Sequence, residues 1–168
     1  MSEKRLALTL WPEWAWAICH LGKDIENRDW KRDALVGQWL CIHAGKHVGG
    51  RPGKSALIEG LNSVVSVASL VGKNLADYLD PEHGPCIATS AIVAVCKVGG
   101  FLHGPPEGWY MGAPGYGWQL RDVQALRQPV PCNGAQGLWE LPPDVLAAVR
   151  AQIADNALPA LRSGTGAE

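Results

Sequence analysis

The sequence is poor in charge and in two of the three aromatic residues. Asp, Glu, Lys and Arg make up 18% of its 168 residues, and there are one Phe and three Tyr. The net charge is −1. That excludes a globally cationic surface of the kind that grips duplex nucleic acid without sequence preference, so any nucleic acid must be held by a local basic patch. Every apolar stretch is broken by Gly, Ser or charge before it could span a membrane. The opening "MSEKRLALTL" lacks the apolar run of a signal peptide. Cys19, Cys41, Cys86, Cys96 and Cys132 are odd in number and scattered, with no CxxC. They suggest neither a disulfide framework nor a zinc site. The expectation is a cytoplasmic protein with reduced thiols, no metal, no cofactor and no membrane partner.

Tryptophan is what the sequence has in quantity, eight residues in all. Trp suits a core with a polar rim, or a platform on which bases stack. Hydrophobic residues reach 47%, enough for a sizeable core. The length fits one domain over residues 1–160, and "RSGTGAE" reads as a flexible tail within 161–168.

Periodicity predicts a strand over Arg5–Trp11. Pro12 follows, well placed for the first turn of a helix. In "PEWAWAICHLG" Trp14, Ala17, Ile18 and Leu21 share one helical face, and Gly22 can supply a left-handed cap. "KDIENRDW" is too short and too charged for a second helix, and reads as a strand. Alternation then puts Asp24, Glu26, Arg28 and Trp30 on one face. "GQWLCIHAG" is a third strand. Next comes an amphipathic stripe of Leu57, Ile58, Leu61, Val64, Val65, Ala68, Val71, Leu75, Tyr78 and Leu79, weakened by Gly60 and Gly72. "CIATSAIVAVCKVGGFL" is a long strand with a bend or bulge at Gly99 and Gly100. "YGWQL" is a short strand, one or two more follow with a turn at Asn133–Gly134, and "PPDVLAAVRAQIADNAL" is a helix. The fold class is therefore α+β: a small, partly open, mixed or antiparallel β-barrel of five to six strands with two to three flanking helices.

The chemistry concentrates at "GKDIENRDW". Lys23 follows a helix end and precedes a strand, which puts an amine at a rim, where partial burial can tune it for proton transfer. Glu26 can act as a general base or hold the lysine. Arg28 offers a planar fork of donors for a phosphate or carboxylate. The competing reading is an exposed Glu26–Arg28 pair worth under about 1 kcal/mol. His43 and His47 have H-x3-H spacing in a glycine-rich context. A zinc site would need more ligands, and His43 can instead face the pocket of Lys23 or simply pack. Trp11, Trp14 and Trp118 can stack a base or plug the barrel. Lys46, Arg51 and Lys54 form a basic loop, "GKHVGGRPGK", which can track a phosphate backbone or be a solvated surface. It lacks the Walker spacing, so "PGKS" reads as a helix start.

"LTLWPEWAWAICHLGKDIENRDW", "GQWLCIHAG" and "GYGWQLRDVQALRQPVPCNGAQGLWELP" together resemble the ASCH family, which has a PUA-like barrel. The Lys-x-x-Glu-x-Arg signature falls on Lys23, Glu26 and Arg28. The resemblance covers roughly two-thirds of the chain, and the combination is more specific than any single motif. It implies a polar pocket at the barrel mouth that binds RNA or a nucleotide-like small molecule. It also implies an alternative, a hydrolase of RNA or of a modified nucleoside with Lys23 and Glu26 catalytic. Glu26 stands where the family's amidohydrolases carry a threonine, so their triad is not reproduced.

Overall fold

The computed structural model describes residues 5–78 and 86–153. The predicted tail at 161–168, Leu79 and most of the "PEHGPC" loop lie outside the described residues. Six strands form one curled mixed sheet in the order β2-β5-β4-β3-β1-β6. They are β1 Leu6–Leu10, β2 Ile25–Arg28, β3 Trp39–Ala44, β4 Ala91–Leu102, β5 Tyr116–Pro131 and β6 Leu138–Glu140. Among the described residues only β1 and β3 pair in parallel, Ala7 opposite Cys41 and Thr9 opposite His43. A parallel pair needs a crossover connection. Here α1, Pro12–His20, begins it.

The sheet is covered on both faces, and alternate residues of one strand enter different cores. Leu8 and Leu10 of β1 and Leu40 and Ile42 of β3 meet Ala15 and Ile18 of α1 inside the curl. Ala7, Trp39 and Cys41 point the other way, onto Val145, Leu146 and Val149. Those three belong to α3, Pro143–Arg150. All six residues of β3 are buried, the polar His43 among them, because both faces of this strand are covered. Gly22 adopts φ +68° just after α1, the predicted cap.

The stripe in the middle helix packs differently from its pattern. The helix α2 spans Lys54–Leu70 and buries Ala56, Gly60, Val64 and Ala68. Leu57, Ile58 and Val65 are exposed. The reason is closeness. A Cβ on Gly60 would lie 2.7 Å from Glu13 Oε1 and 2.9 Å from Gly49 N. The contact therefore selects small residues at four-residue spacing over large ones. Gly72, at φ +75°, follows the helix end.

Two further expectations change. The predicted short strand "YGWQL" and its successors form a single 16-residue strand, β5. It pairs with β2 near its start and with β4 along its length, through three register shifts, one of them between Val98 and Gly100, where the sequence predicts a bend or bulge at Gly99 and Gly100. Asn133–Gly134 closes no hairpin. β5 and β6 are not neighbours in the sheet, and a loop links them.

Glu13 is fully buried in the first turn of α1. Its two carboxylate oxygens accept the Gly49 amide at 3.0 and 3.1 Å, which ties the glycine-rich loop to α1. Burial pushes the Glu13 carboxyl above its usual 4.5, while its own amide and that of Gly49 pull it back. The folded chain therefore holds this proton more tightly than the unfolded chain. The stabilisation is complete below 4.5 and is lost as pH rises through the folded value. Glu13→Gln is expected to remove that loss. In urea unfolding, the stability of the variant relative to wild type should climb as pH rises above 4.5. A difference that stays constant with pH contradicts this reading.

Candidate functional site

Two cavities meet at the open end of the curl. The first, about 570 Å³, is lined by Trp11, Trp14, Lys23, Trp109 and Met111, with a wall from α2. The second, about 800 Å³, is lined by Thr9, Arg28, His43, Lys46 and His47, with a wall from residues 133–137. Trp11, Trp14, Glu26 and Asn27 border both. Both volumes are in the range of small-molecule sites.

A chain of charges runs from one cavity to the other. Lys23 Nζ donates to Glu26 Oε2 at 2.9 Å and to the Ile25 carbonyl. Glu26 Oε1 lies 3.2 Å from Arg28 Nε, and Arg28 Nη2 donates to the Thr9 carbonyl at 2.7 Å. Lys23 is 3% exposed and Glu26 8%. The lysine expected at a rim is thus a buried ammonium, held by a carboxylate and a carbonyl, with the Trp14 ring 5.8 Å away. Glu26 and Arg28 meet as alternation predicts, whereas Asp24 precedes the strand and is exposed.

The other predicted residues divide. Trp11 is 53% exposed. Its ring lies against Gly50, where a Cβ would come within 2.5 Å of it. Gly50 also has φ +73°, so glycine is required there twice over. Trp14 is half-buried between the cavities. Trp118 is fully buried. Its indole donates to the Trp30 carbonyl, and its ring meets Trp30 and Phe101 edge-on. It plugs the barrel and lines neither cavity. His43 faces the second cavity, and burial lowers its imidazole from the usual 6.5. Of the basic loop, Lys46 reaches that cavity. Arg51 instead pairs with Glu59 at 2.7 Å on the surface, and Lys54 is an exposed first residue of α2.

No family model matches the sequence, and no curated protein does. The structure is similar to the crystal structure of ASCH from Zymomonas mobilis. The TM-score is 0.51 at 14% sequence identity, over 90% of this chain and 96% of that one. The chain has an ASCH-like fold. Two mutants of the same Zymomonas mobilis protein align with TM-scores of 0.47 and 0.48, at 13% and 16% identity. They cover 88% and 90% of this chain, and 95% and 100% of their own. Among the described residues, no helix is long and apolar enough to cross a membrane.

Within the ASCH-like fold, the site includes residues that sequence patterns did not single out. Asn27 lies inside the charged motif and looks like a spacer. Its amide donates to the Trp109 carbonyl, and its oxygen accepts the Met111 amide, both at 2.9 Å. It holds the loop between β4 and β5 as a neighbouring strand would. Thr9 sits in an apolar strand, yet its hydroxyl contacts His43, Ala135 and Trp139. The dense Gly, Pro and aromatic composition around Trp109 was the available signal for a built loop. Asn27→Ala is expected to free that loop. Hydrogen exchange at Met111 should speed up at least tenfold, since one net hydrogen bond is worth about 1 kcal/mol and here two are lost. Unchanged protection at Met111 would show that other contacts hold the loop.

Proposed function

We propose that this protein binds single-stranded RNA or a nucleotide-like ligand across the two cavities. The observation that carries the reading is Trp11. It stands more than half exposed on a glycine shelf, at the shared border of an aromatic cavity and a basic one. An exposed indole in that position gives up hydrophobic burial unless a ligand supplies it. A base can stack there, for about 1–3 kcal/mol, and the attached phosphate then falls on the side of Arg28. Lys23 and Glu26 hold Arg28 in place. Glu26 accepts from Lys23 with one oxygen and lies beside Arg28 with the other, so the guanidinium is oriented before a ligand arrives.

The alternative is hydrolysis of RNA or of a modified nucleoside. It draws on the placement of Lys23 and Glu26 at a cavity wall. Against an amine nucleophile stands the lysine's geometry, which uses its hydrogens on Glu26 and Ile25. The ion pair suits electrostatic stabilisation of a ligand better than attack on it. One experiment separates the two readings. The protein is incubated with labelled single-stranded RNA and with a panel of modified nucleosides including acylated cytidines, and both retained ligand and product are measured. Retention without product is expected. Product that disappears in Lys23→Met would establish the hydrolase. Neither retention nor product would reject both.

A further inference from the structure

The second cavity contains a hydrogen-bond conflict that a single proton resolves. His43 Nε2 is 3.1 Å from the Cys132 carbonyl. A carbonyl only accepts, so Nε2 carries a hydrogen. His43 Nδ1 is 3.2 Å from Thr9 Oγ1. Thr9 Oγ1 already accepts from Trp139 Nε1 at 3.0 Å and donates to the Ala135 carbonyl at 2.8 Å. A hydroxyl has one hydrogen. With neutral His43, Nδ1 and the Ala135 carbonyl compete for it, and one acceptor goes short. With His43 protonated, Nδ1–H donates to Thr9, Thr9 donates to Ala135, and every group is satisfied. The loop over residues 133–137 is then tied down, and the cavity gains a positive charge.

The surroundings favour an oxyanion as the group that pulls this proton in. Arg28 and Lys46 are the cations of the cavity, and Lys46 forms no ion pair among the described residues. The carboxylate is Glu26, already claimed by Lys23 from the other cavity. The local balance is therefore positive in a chain of net charge −1. His43 is 2% exposed, so its charge is screened less than a surface charge.

We infer that the second cavity is an oxyanion subsite that binds its anion together with a proton on His43, relayed to the 133–137 loop through the Thr9 hydroxyl. The inference rests on the nucleotide-like reading and names the part of the ligand this cavity takes. His43 is a positioning residue, because both ring nitrogens are used within the protein. The groups facing it are limited. β1 brings Thr9, β4 Ile92, β6 Trp139, and the loop brings Cys132, whose thiol burial pushes up. Arg28 and Glu26 come from β2, and Lys46 and His47 follow β3. α1 carries Glu13 and His20, and neither lines this cavity: Glu13 is bonded to the Gly49 amide and His20 lies against Trp16.

Burial lowers His43 from 6.5, so the free protein holds it neutral at pH 7 and an anion must raise it. Affinity then increases as pH falls through and below 6.5. The probes are sulfate and an oligouridylate, whose charges stay fixed over this range, titrated at pH 5.5, 6.5 and 7.5 at constant ionic strength. In wild type, binding of both is expected to strengthen from pH 7.5 to 5.5, by at most about tenfold for each unit by which the anion raises the His43 pKa. His43→Gln should abolish the slope, His47→Gln should keep it, and Thr9→Val should displace it to lower pH. In wild type, the NMR titration of His43 should move up in saturating sulfate, a readout that requires no variant to fold. A flat wild-type profile, an equal slope in His43→Gln, or a His43 titration unmoved by sulfate would overturn the inference. Sulfate binding with the expected slope but no oligouridylate binding would keep the subsite and reject the nucleotide reading.

Discussion

Arg28→Ala is expected to weaken single-stranded RNA binding tenfold to a hundredfold. The guanidinium is oriented within the protein by its hydrogen bond to the Thr9 carbonyl at 2.7 Å, and Nε lies 3.2 Å from the Glu26 carboxylate as an ion pair. A ligand phosphate meeting it pays little ordering entropy. Losing such a charge-assisted contact costs about 1.5–3 kcal/mol, which sets the stated range. The variant should also lose about 0.7 from the slope of log affinity against log salt, the share of one phosphate contact on a single strand. Arg28→Lys keeps the charge and loses the fork, so it should fall between wild type and Ala. Fluorescence anisotropy over a salt series measures both quantities. Binding that is unchanged in Arg28→Ala, with the same slope, would remove Arg28 from the site.

Glu26→Ala should cost about 3–5 kcal/mol of folding stability, the effect of stranding a buried charge. Lys23 has a side-chain exposure of 2%, and without Glu26 its ammonium keeps only the Ile25 carbonyl. The pair itself is worth much less than that figure. Replacing both partners by apolar residues, Lys23→Met with Glu26→Leu, should return most of the stability, because desolvating two ions offsets their attraction. The double variant should nevertheless bind no RNA. A stable protein that has lost its ligand would show that the pair is kept for binding rather than for folding. Urea unfolding of wild type, single and double variants measures this. A single variant within about 1 kcal/mol of wild type would mean that Lys23 finds water or another partner.

Much of this site was legible in the sequence for a local reason. Lys23, Glu26 and Arg28 are close in the chain, and strand alternation alone brings Glu26 and Arg28 together. Trp11 was legible because Pro12 fixes the turn beside it. The rest depends on long-range approach. His43 and Thr9 sit in neighbouring strands, but their partners Cys132, Ala135 and Trp139 are about 90 to 130 positions further on. No local pattern marks such pairs. Glu13, which no sequence pattern singled out, is fully buried, because Gly60 and Gly49 open room for its carboxylate. The same closeness turned the α2 stripe around. A pattern of apolar residues locates a helix, but contact distance chooses the buried face, and here it chose the small side chains. Trp118 followed its local pattern as a strand residue, and its role was decided by Trp30 and Phe101 closing over it.

The central claim is that one ligand spans both cavities over Trp11. The eight tryptophans make this directly observable through their indole N–H resonances. On addition of a short single-stranded RNA, the Trp11 and Trp14 signals are expected to shift together and saturably. The Trp118 signal, bonded to the Trp30 carbonyl inside the core, should stay in place, and the shifts should fade in Arg28→Ala. Saturable binding that leaves Trp11 and Trp14 unmoved, or no shift at any RNA concentration, would contradict the account.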